Sequence, residues 1–483
     1  MSGERAMRAM AAGAEALQRG DLPRAEAAFA EAVEADPGLA DGWFNLGWVQ
    51  RARRRFEAAL ESYARALGAG VQGAEEVHVN RAAILADHLL DPVAAAGEYQ
   101  RALSLHDAYP PALLGLAQLH EDEGRRDEAT DCYRRLLRSD PGDGRAAARI
   151  AALQLAEGDP GTIAAELAAK VERARRPEDQ AELLFALATA LDAGGRYGEA
   201  FRALDQANAL AARLSPVRYD ARGFEQLVDR LIASFPAGSG GEPDAFSPVF
   251  ICGLFRSGST LAEQVLARHP ALTAGGELEA IPAIAASLQP YPEAVPQLGE
   301  EAVGRLRKDY REEARRSASD GRHTDKRCDN FLHLGLIKRL FPGAAIVHTV
   351  RHPLDNLLST YFLRFGDGVS YSHRLDEAVH HAVQHERLMR HWRQVMPASI
   401  VELSYDRLVR DPRGALAPVL ERLGLEWTDA LLDAGAVGAV RTASNWQVRQ
   451  PLHARSSGRW RHYEAELEGA RRQLIAGGVP VPD

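Results

Sequence analysis

The stretch PVFICGLFRSGSTLAEQVLARHP, residues 248–270, decides how the second half of the chain folds. Its first letters are apolar and partly β-branched, which predicts a buried parallel strand, and its last ten predict a helix with an apolar face. The turn between them, FRSGST, would aim main-chain N–H groups and a helix N-terminus at one point. The stretch therefore predicts an α/β domain with an anion-binding loop.

The loop differs from a nucleotide triphosphate loop at one position. Gly253 through Thr260 reads G-x-x-x-x-G-S-T, with Ser259 where triphosphatases place the lysine that reaches the β- and γ-phosphates. Ser259 can donate a hydrogen bond but brings no charge. Arg256 brings a fork-shaped cation instead, which suits an oxyanion with several equivalent oxygens. The loop therefore favours a sulfonated 5′-phosphate over a triphosphate and needs no metal.

A second strand-to-helix stretch lies downstream. FPGAAIVHTVRHPLDNLLSTYFLRF, residues 341–365, predicts an apolar strand that ends near Arg351 and a helix that begins near Leu354. Ser359 follows Arg351 by eight residues, about two helical turns. Both side chains are candidates to bind a second phosphate beside the first loop.

The first half of the chain is a repeat array. Phe29 and Tyr63 lie 34 residues apart, and Tyr99 and Tyr133 repeat that interval. This is the period of the tetratricopeptide repeat, a helix pair that buries its apolar face only by stacking on its neighbours. We expect five or six helix pairs over residues 1–213, whose concave groove binds a peptide or protein partner.

Composition limits the classes of protein to be considered. The chain has 483 residues, a net charge of −9 and three cysteines far apart. Its length predicts more than one domain. From the changes in sequence pattern we expect the array at 1–213, a connecting helix and linker at 214–247, and an α/β domain at 248–483. The negative charge argues against nucleic-acid binding, and no apolar run reaches the roughly 18 residues of a membrane helix. We expect a cytoplasmic protein.

The two motifs together resemble those of a known enzyme family. Residues 248–270 are similar to the 5′-phosphosulfate-binding loop of sulfotransferases, and IVHTVRHPLDNLLSTYF is similar to their 3′-phosphate motif. With the repeat array in front, the chain resembles bacterial tetratricopeptide-repeat sulfotransferases, which in turn resemble protein-tyrosine sulfotransferases. The resemblance implies an α-solenoid followed by a P-loop-like α/β domain with a parallel sheet. It also implies 3′-phosphoadenosine 5′-phosphosulfate (PAPS) as co-substrate.

The resemblance also implies which residues hold the donor. Those of the 5′-phosphosulfate loop are Arg256, Ser257, Gly258, Ser259 and Thr260. Arg351 and Ser359 would hold the 3′-phosphate, Tyr405 would contact the nucleotide, and Arg459 would lie over the 3′-phosphate. The loop departs from the commoner P-R-S-G-T-T at Phe255 and Ser259, and neither change removes a donor-binding group.

Four residues are implied in the chemistry by the same resemblance. Glu277 would be the general base, and Lys326 and Ser444 would stabilise the leaving oxygen. Arg256 would also take part in catalysis. On the residues alone, Glu277 could instead cap a helix or pair with an arginine, and Glu279 competes for the base role. Lys326 could be a solvated surface residue. No cluster has metal-ligand spacing, so no metal is expected.

Several functional hypotheses remain open from the sequence. The leading one is an active sulfotransferase whose acceptor is a peptide or protein, with a glycan or small hydroxylated molecule as the alternative. A second is a repeat-based adaptor with a catalytically idle nucleotide-binding domain. A third, a phosphate-loop kinase, is disfavoured by Ser259 and by the absence of a convincing Mg²⁺-holding pair.

Overall fold

A computed structural model describes residues 2–89, 91–236, 247–317, 321–433 and 456–483. The chain divides into two compact units, Met1–Pro141 and Gly142–Asp483. The second unit contains the α/β fold together with the last helices of the repeat array. In the described ranges, a helix that could span a bilayer is not found.

The described residues up to 214 form twelve helices, enough for six helix pairs. They are α1 (Ser2–Gln18), α2 (Leu22–Ala35), α3 (Ala40–Ala52), α4 (Phe56–Gly68), α5 (Ala74–Asp87), α6 (Pro92–Leu105), α7 (Pro110–Asp122), α8 (Arg126–Ser139), α9 (Gly144–Gln154), α10 (Pro160–Arg173), α11 (Pro177–Ala193) and α12 (Tyr197–Leu214). Asp21 and Asp91 begin two of these helices by accepting hydrogen bonds from the N–H groups of the first turn.

The 34-residue period has a packing cause. A Cβ added to Gly13 would lie 2.6 Å from the ring of Phe29, and one added to Gly47 would lie 2.9 Å from the ring of Tyr63. Both rings are almost completely buried. Each aromatic side chain therefore fills the space that a glycine leaves on the preceding helix, and the glycines repeat with the same period as the rings.

The α/β fold is built on a four-stranded, all-parallel sheet in the order β2–β1–β3–β4. The strands are β1 (Val249–Gly253), β2 (Thr324–Lys326), β3 (Ala345–Val350) and β4 (Ile400–Ser404). β1 and β3 are central neighbours, with Gly253 paired to Thr349. The loops that follow these two strands therefore emerge side by side at the carboxyl edge of the sheet.

Helices cover both faces of the sheet. They are α13 (Ala221–Ser234), α14 (Ser259–Leu266), α15 (Ala280–Ser287), α16 (Glu300–Ser317), α17 (Leu334–Leu340), α18 (Pro353–Tyr361), α19 (Leu375–Val395), α20 (Tyr405–Leu408), α21 (Pro412–Leu423) and α22 (Glu464–Ala476). Phe250 packs in one core with Trp392 of α19, while Ile251 packs on the opposite face with Leu416 of α21. The predicted solenoid followed by a parallel-sheet α/β fold is confirmed.

Candidate functional site

The loop between β1 and α14 is held in an unusual backbone conformation. Arg256 has a φ of 70° and Gly258 a φ of 99°. A positive φ is uncommon for a residue with a side chain, and such residues cluster at functional sites. Gly258 also has no room for a side chain, because a Cβ there would lie 2.8 Å from Cδ2 of Tyr405.

The two anion motifs meet at this loop. Nε of Arg256 donates a hydrogen bond to Oγ of Ser359 over 3.1 Å. Nη1 of Arg351 donates to the main-chain oxygen of Arg256 over 3.2 Å. The adjacency of β1 and β3 explains this meeting, because Ser359 lies on the helix that follows β3. The structure thus brings Arg256 together with Arg351 and Ser359, which lie 95 and 103 residues further along the chain.

These arginines form a crowded positive cluster. Burial, and then the neighbouring Arg351, lower the pKa of Arg256 to about 10. Burial also lowers the pKa of Arg351, and the charge of Arg459 acts in the same direction on both groups. Nε of Arg351 is buried and finds no acceptor among the residues that the structure describes. Cations that are close together and partly desolvated are stabilised by an anion.

The loop hydroxyl groups are engaged within the protein. Oγ of Ser257 lies 2.7 Å from Oγ1 of Thr349 and is buried beneath the loop. Oγ of Ser259 lies 3.4 Å from the sulfur of Cys328. Thr260 is half-buried at the first turn of α14. The main-chain N–H of Ser257 already donates to the main-chain oxygen of Leu254 over 3.1 Å. The N–H groups that face an anion are accordingly those of the first turn of α14, which begins at Ser259.

Tyr405 lies where the motif predicts, directly after β4. The guanidinium carbon of Arg351 is 4.8 Å from the centre of its ring, and the ring also packs on Gly258. Tyr405 therefore contacts both anion motifs, with Arg351 over its aromatic face.

Arg459 is held by a residue that the sequence did not predict. Its guanidinium forms an ion pair with Asp192 of α11, at 2.8 Å between Nη2 and Oδ2. It also lies 3.9 Å from the ring centre of Phe362. No signal within the repeat array singles out Asp192, because its partner is 267 residues away.

Glu277 and Lys326 form an ion pair through Oε1 and Nζ. Lys326 ends β2 and its side chain is 2% exposed, whereas that of Glu277 is 52% exposed. Burial lowers the pKa of Lys326, but the carboxylates of Glu277 and Glu263 outweigh burial and leave it above its usual value. The lysine is therefore held as a cation, and the solvated-surface interpretation of Lys326 is wrong.

Glu263 supports this pair and was missed by the sequence analysis. Its carboxylate accepts hydrogen bonds from Oγ1 of Thr324 over 2.8 Å and from the main-chain N–H of Gly276 over 3.0 Å. Burial raises its pKa, although Lys326 opposes that shift. Glu263 links α14 to β2 and to the turn before Glu277. Its only signal in the sequence is an acidic residue within an apolar helix.

Other acidic residues near Lys326 have partners of their own. Glu279, the competitor for the base role, pairs with Arg327 at 2.6 Å. Asp325 accepts hydrogen bonds from Tyr310 and Asn330 at 3.1 and 3.2 Å beneath the sheet. Over the described ranges, no group of three or more His, Cys, Asp or Glu residues is placed to hold a metal ion.

One predicted site residue, Ser444, lies outside the described residues.

Comparisons with known proteins agree with this architecture. Residues 248–429 match the model of the sulfotransferase family, and residues 10–74 and 91–153 match two models of the tetratricopeptide repeat. An uncharacterized protein of Aquifex aeolicus (strain VF5) is 30% identical over 321 residues, which cover 62% of this chain and 42% of that protein. The chain therefore spans less than half of that relative's length.

Two solved structures are also similar to parts of the chain. The sulfotransferase domain of the Synechococcus PCC 7002 olefin synthase is 21% identical, covering 50% of this chain and 97% of that one with a TM-score of 0.37. A tetratricopeptide repeat protein of Parabacteroides merdae ATCC 43184 is 19% identical, covering 44% of this chain and 86% of that one with a TM-score of 0.36.

Proposed function

We propose that this chain, which joins tetratricopeptide repeats to a domain of the sulfotransferase family, transfers a sulfonate from PAPS to an acceptor hydroxyl. The observation that supports this most is the cluster of Arg256, Arg351 and Ser359 at the carboxyl edge of the sheet. It offers positive charge and hydrogen-bond donors at two adjoining points. A donor with a 5′-phosphosulfate and a separate 3′-phosphate requires both.

The residues present fit such a donor. The main-chain N–H groups of the loop and the start of α14 would bind the 5′-phosphosulfate beside Arg256. Arg351, with its unpartnered buried Nε among the described residues, and Ser359 would bind the 3′-phosphate. Arginine suits this task because its planar donors match the oxygens of a phosphate. Tyr405 is close enough to Arg351 to contact the nucleotide.

Sulfonate transfer requires a base and a cation near the transferred group. The acceptor oxygen forms a bond to sulfur while the bond from sulfur to the bridging oxygen breaks. Glu277 would take the acceptor proton, and Lys326 with Arg256 would offset the charge on the departing phosphate. The raised pKa of Lys326 supports its part, because the side chain stays charged at neutral pH.

Glu277 is better suited than Glu279 to receive that proton. Half of the Glu277 side chain is exposed, and its carboxylate pairs with Lys326. Glu279 is instead joined to Arg327, whose charge also bonds Asp329. An ion pair weakens either carboxylate as a base, because it favours the charged form, so the choice rests on position: Glu277 contacts Lys326, the residue proposed to stabilise the leaving oxygen. The base role is therefore assigned to Glu277.

The acceptor is proposed to be a hydroxyl on a peptide, such as tyrosine, with a glycan or small hydroxylated molecule as the alternative. Tetratricopeptide repeats generally bind proteins, and such an array stacks into an extended concave surface. The array would select the acceptor or a partner that presents it.

Calorimetry with nucleotides tests the donor assignment. The chain should bind 3′-phosphoadenosine 5′-phosphate (PAP), the desulfonated product, more tightly than ATP. Ser359→Ala should weaken PAP binding by about 10- to 150-fold, since a hydrogen bond to a charged group is worth roughly 1.5–3 kcal/mol. A preference for ATP over PAP would contradict the proposal.

A transfer assay separates the enzyme from the adaptor alternative. The chain would be incubated with radiolabelled PAPS and with pools of cell extract, peptides or glycans. An active sulfotransferase labels at least one pool, and labelling is lost in Lys326→Met. Binding of PAP without labelled product in any pool would favour the idle adaptor.

A further inference from the structure

The last two helices of the repeat array contact the segment that supplies the 3′-phosphate motif. Nδ2 of Asn208 donates to the main-chain oxygen of Tyr361 over 2.9 Å, and the hydroxyl of Tyr361 donates to Asp205 over 2.8 Å. Glu182 of α11 pairs with Arg364 at 2.8 Å. Tyr361 ends α18, the helix on which Ser359 lies. Helix α12 therefore contacts the end of α18, while the Glu182 pair of α11 lies beyond that helix.

Within this contact, the carboxylate of Asp192 bonds two nitrogens on one edge of the Arg459 guanidinium. It accepts from Nε over 3.1 Å and from Nη2 over 2.8 Å. Oδ1 also accepts a hydrogen bond of 2.5 Å from the hydroxyl of Tyr463. The ring of Phe362 lies against the guanidinium plane. A carboxylate on one edge and a ring on one face fix the position of the guanidinium.

We propose that Asp192 is a positioning residue that holds Arg459 toward the donor's 3′-phosphate. Arg459 is near enough to Arg256 and Arg351 for its charge to lower the pKa of both. Without a counter-charge, three guanidinium groups this close would repel one another, and the long side chain of Arg459 would turn away. Asp192 bonds Nε and Nη2, which leaves Nη1 for a phosphate oxygen.

This inference rests on the proposed function, because it takes the ligand to have a 3′-phosphate. It adds that the repeat array completes the donor site. A residue of α11, within the array, would determine how tightly PAPS is distinguished from nucleotides that lack the 3′-phosphate.

The test compares two ligands and two variants of the same helix. PAP and adenosine 5′-monophosphate are titrated calorimetrically into the full-length chain, Asp192→Asn and Glu182→Gln. Glu182→Gln is the matched control, since it removes an ion-paired carboxylate of α11 whose partner is Arg364. In Asp192→Asn, PAP affinity should fall about tenfold, the value of one charged hydrogen bond, while affinity for the monophosphate stays unchanged. Glu182→Gln should bind both ligands like the wild type.

The direction of the change distinguishes positioning from a simple charge effect. By Coulomb's law, removal of a negative charge strengthens the binding of an anion. Weaker PAP binding in Asp192→Asn would therefore mean that Arg459 is no longer held in its position. Tighter or unchanged PAP binding in Asp192→Asn would overturn the inference, as would an equal loss for both ligands. Combining Asp192→Asn with Arg459→Ala should weaken PAP binding no further than Arg459→Ala does.

Failure of the proposed function gives a different result. If the wild type binds PAP no better than the monophosphate, the 3′-phosphate assignment is wrong and this inference falls with it. If the wild type binds PAP more tightly than the monophosphate and Asp192→Asn does so equally well, only the positioning role of Asp192 is wrong. Should Asp192→Asn fail to fold, Tyr463→Phe, which frees one side of Asp192, should weaken PAP binding selectively by a smaller factor.

Discussion

Glu277 and Lys326 lie 49 residues apart in the chain, yet their side chains form an ion pair at the edge of β2. Glu277→Gln keeps the size of the side chain and removes its basicity. We expect kcat to fall by about 10²–10⁴-fold, the usual value of a positioned base, while the affinity for PAP measured by calorimetry stays within a factor of a few. The measurement is the rate of labelled-sulfonate transfer to an acceptor identified as above.

Glu279→Gln provides the control for this prediction. Glu279 is two residues away and also ion-paired, but with Arg327. Its substitution should leave kcat nearly unchanged. Equal losses of turnover and PAP binding in Glu277→Gln would instead indicate that Glu277 is structural.

At the scale of residues, the sequence predicts site residues that belong to motifs. It does not predict residues whose partners are distant in the chain. Arg256, Arg351 and Ser359 were predicted because each belongs to a short strand-loop-helix pattern. Asp192 and Glu263 were missed, since their partners are distant in the chain and neither lies in a recognisable pattern.

At the scale of elements, the loop after β1 depends on a glycine for two separate reasons. Gly258 has a φ of 99°, and a Cβ there would also meet the ring of Tyr405 at 2.8 Å. Gly258→Ala should destabilise the protein and weaken PAP binding, because the loop or Tyr405 must shift. Thermal melting and calorimetry measure the two effects.

Gly424→Ala separates these two causes. Gly424 ends α21 with a φ of 66°, and a Cβ there would meet nothing within 4 Å. This variant should lose only the stability that a positive φ costs a residue with a side chain, about 1–2 kcal/mol, and it should keep its PAP affinity. If Gly258→Ala bound PAP as tightly as Gly424→Ala, the close contact with Tyr405 would have no role in donor binding.

The elements themselves were more predictable than their arrangement. The strand at 249–253, the helix after it and the 34-residue period follow from local patterns of apolar residues and glycines. The three-residue strand β2 has no such signal, because it is defined by pairing with β1. Lys326, which is proposed to stabilise the leaving oxygen, lies at its end, and only the motif resemblance points to that residue.

At the scale of the whole molecule, buried titratable groups set how stability depends on pH. Among the described residues of the second unit, burial lowers the pKa of five histidines: His323, His333, His381, His385 and His391. Burial raises the pKa of three carboxyl groups: Glu263, Glu377 and Asp325, the last to about 7. These two sets act in opposite directions as the pH falls.

The signs of the two effects follow from proton binding. A histidine whose pKa is lowered on folding stays neutral in the folded state and binds a proton when unfolded, so its contribution to stability is lost as the pH falls through about 6.5. A carboxyl group whose pKa is raised binds its proton first in the folded state, so acid favours folding. Each unmatched proton changes the free energy of unfolding by about 1.4 kcal/mol per pH unit. With five histidines against three carboxyl groups, we expect the loss of stability in acid to be the larger effect.

The chain should therefore melt at a lower temperature at pH 5 than at pH 7. Asp325→Asn removes one of the opposing groups and keeps a side chain that can bond Tyr310 and Asn330. Its melting temperature should fall more steeply than that of the wild type over the same range, because the stabilisation that Asp325 gains in acid is gone. Melting followed by circular dichroism at half-unit pH intervals measures both slopes. A melting temperature that rises from pH 7 to pH 5 would contradict this prediction, and equal slopes would mean that Asp325 stays ionised in the folded protein over this range.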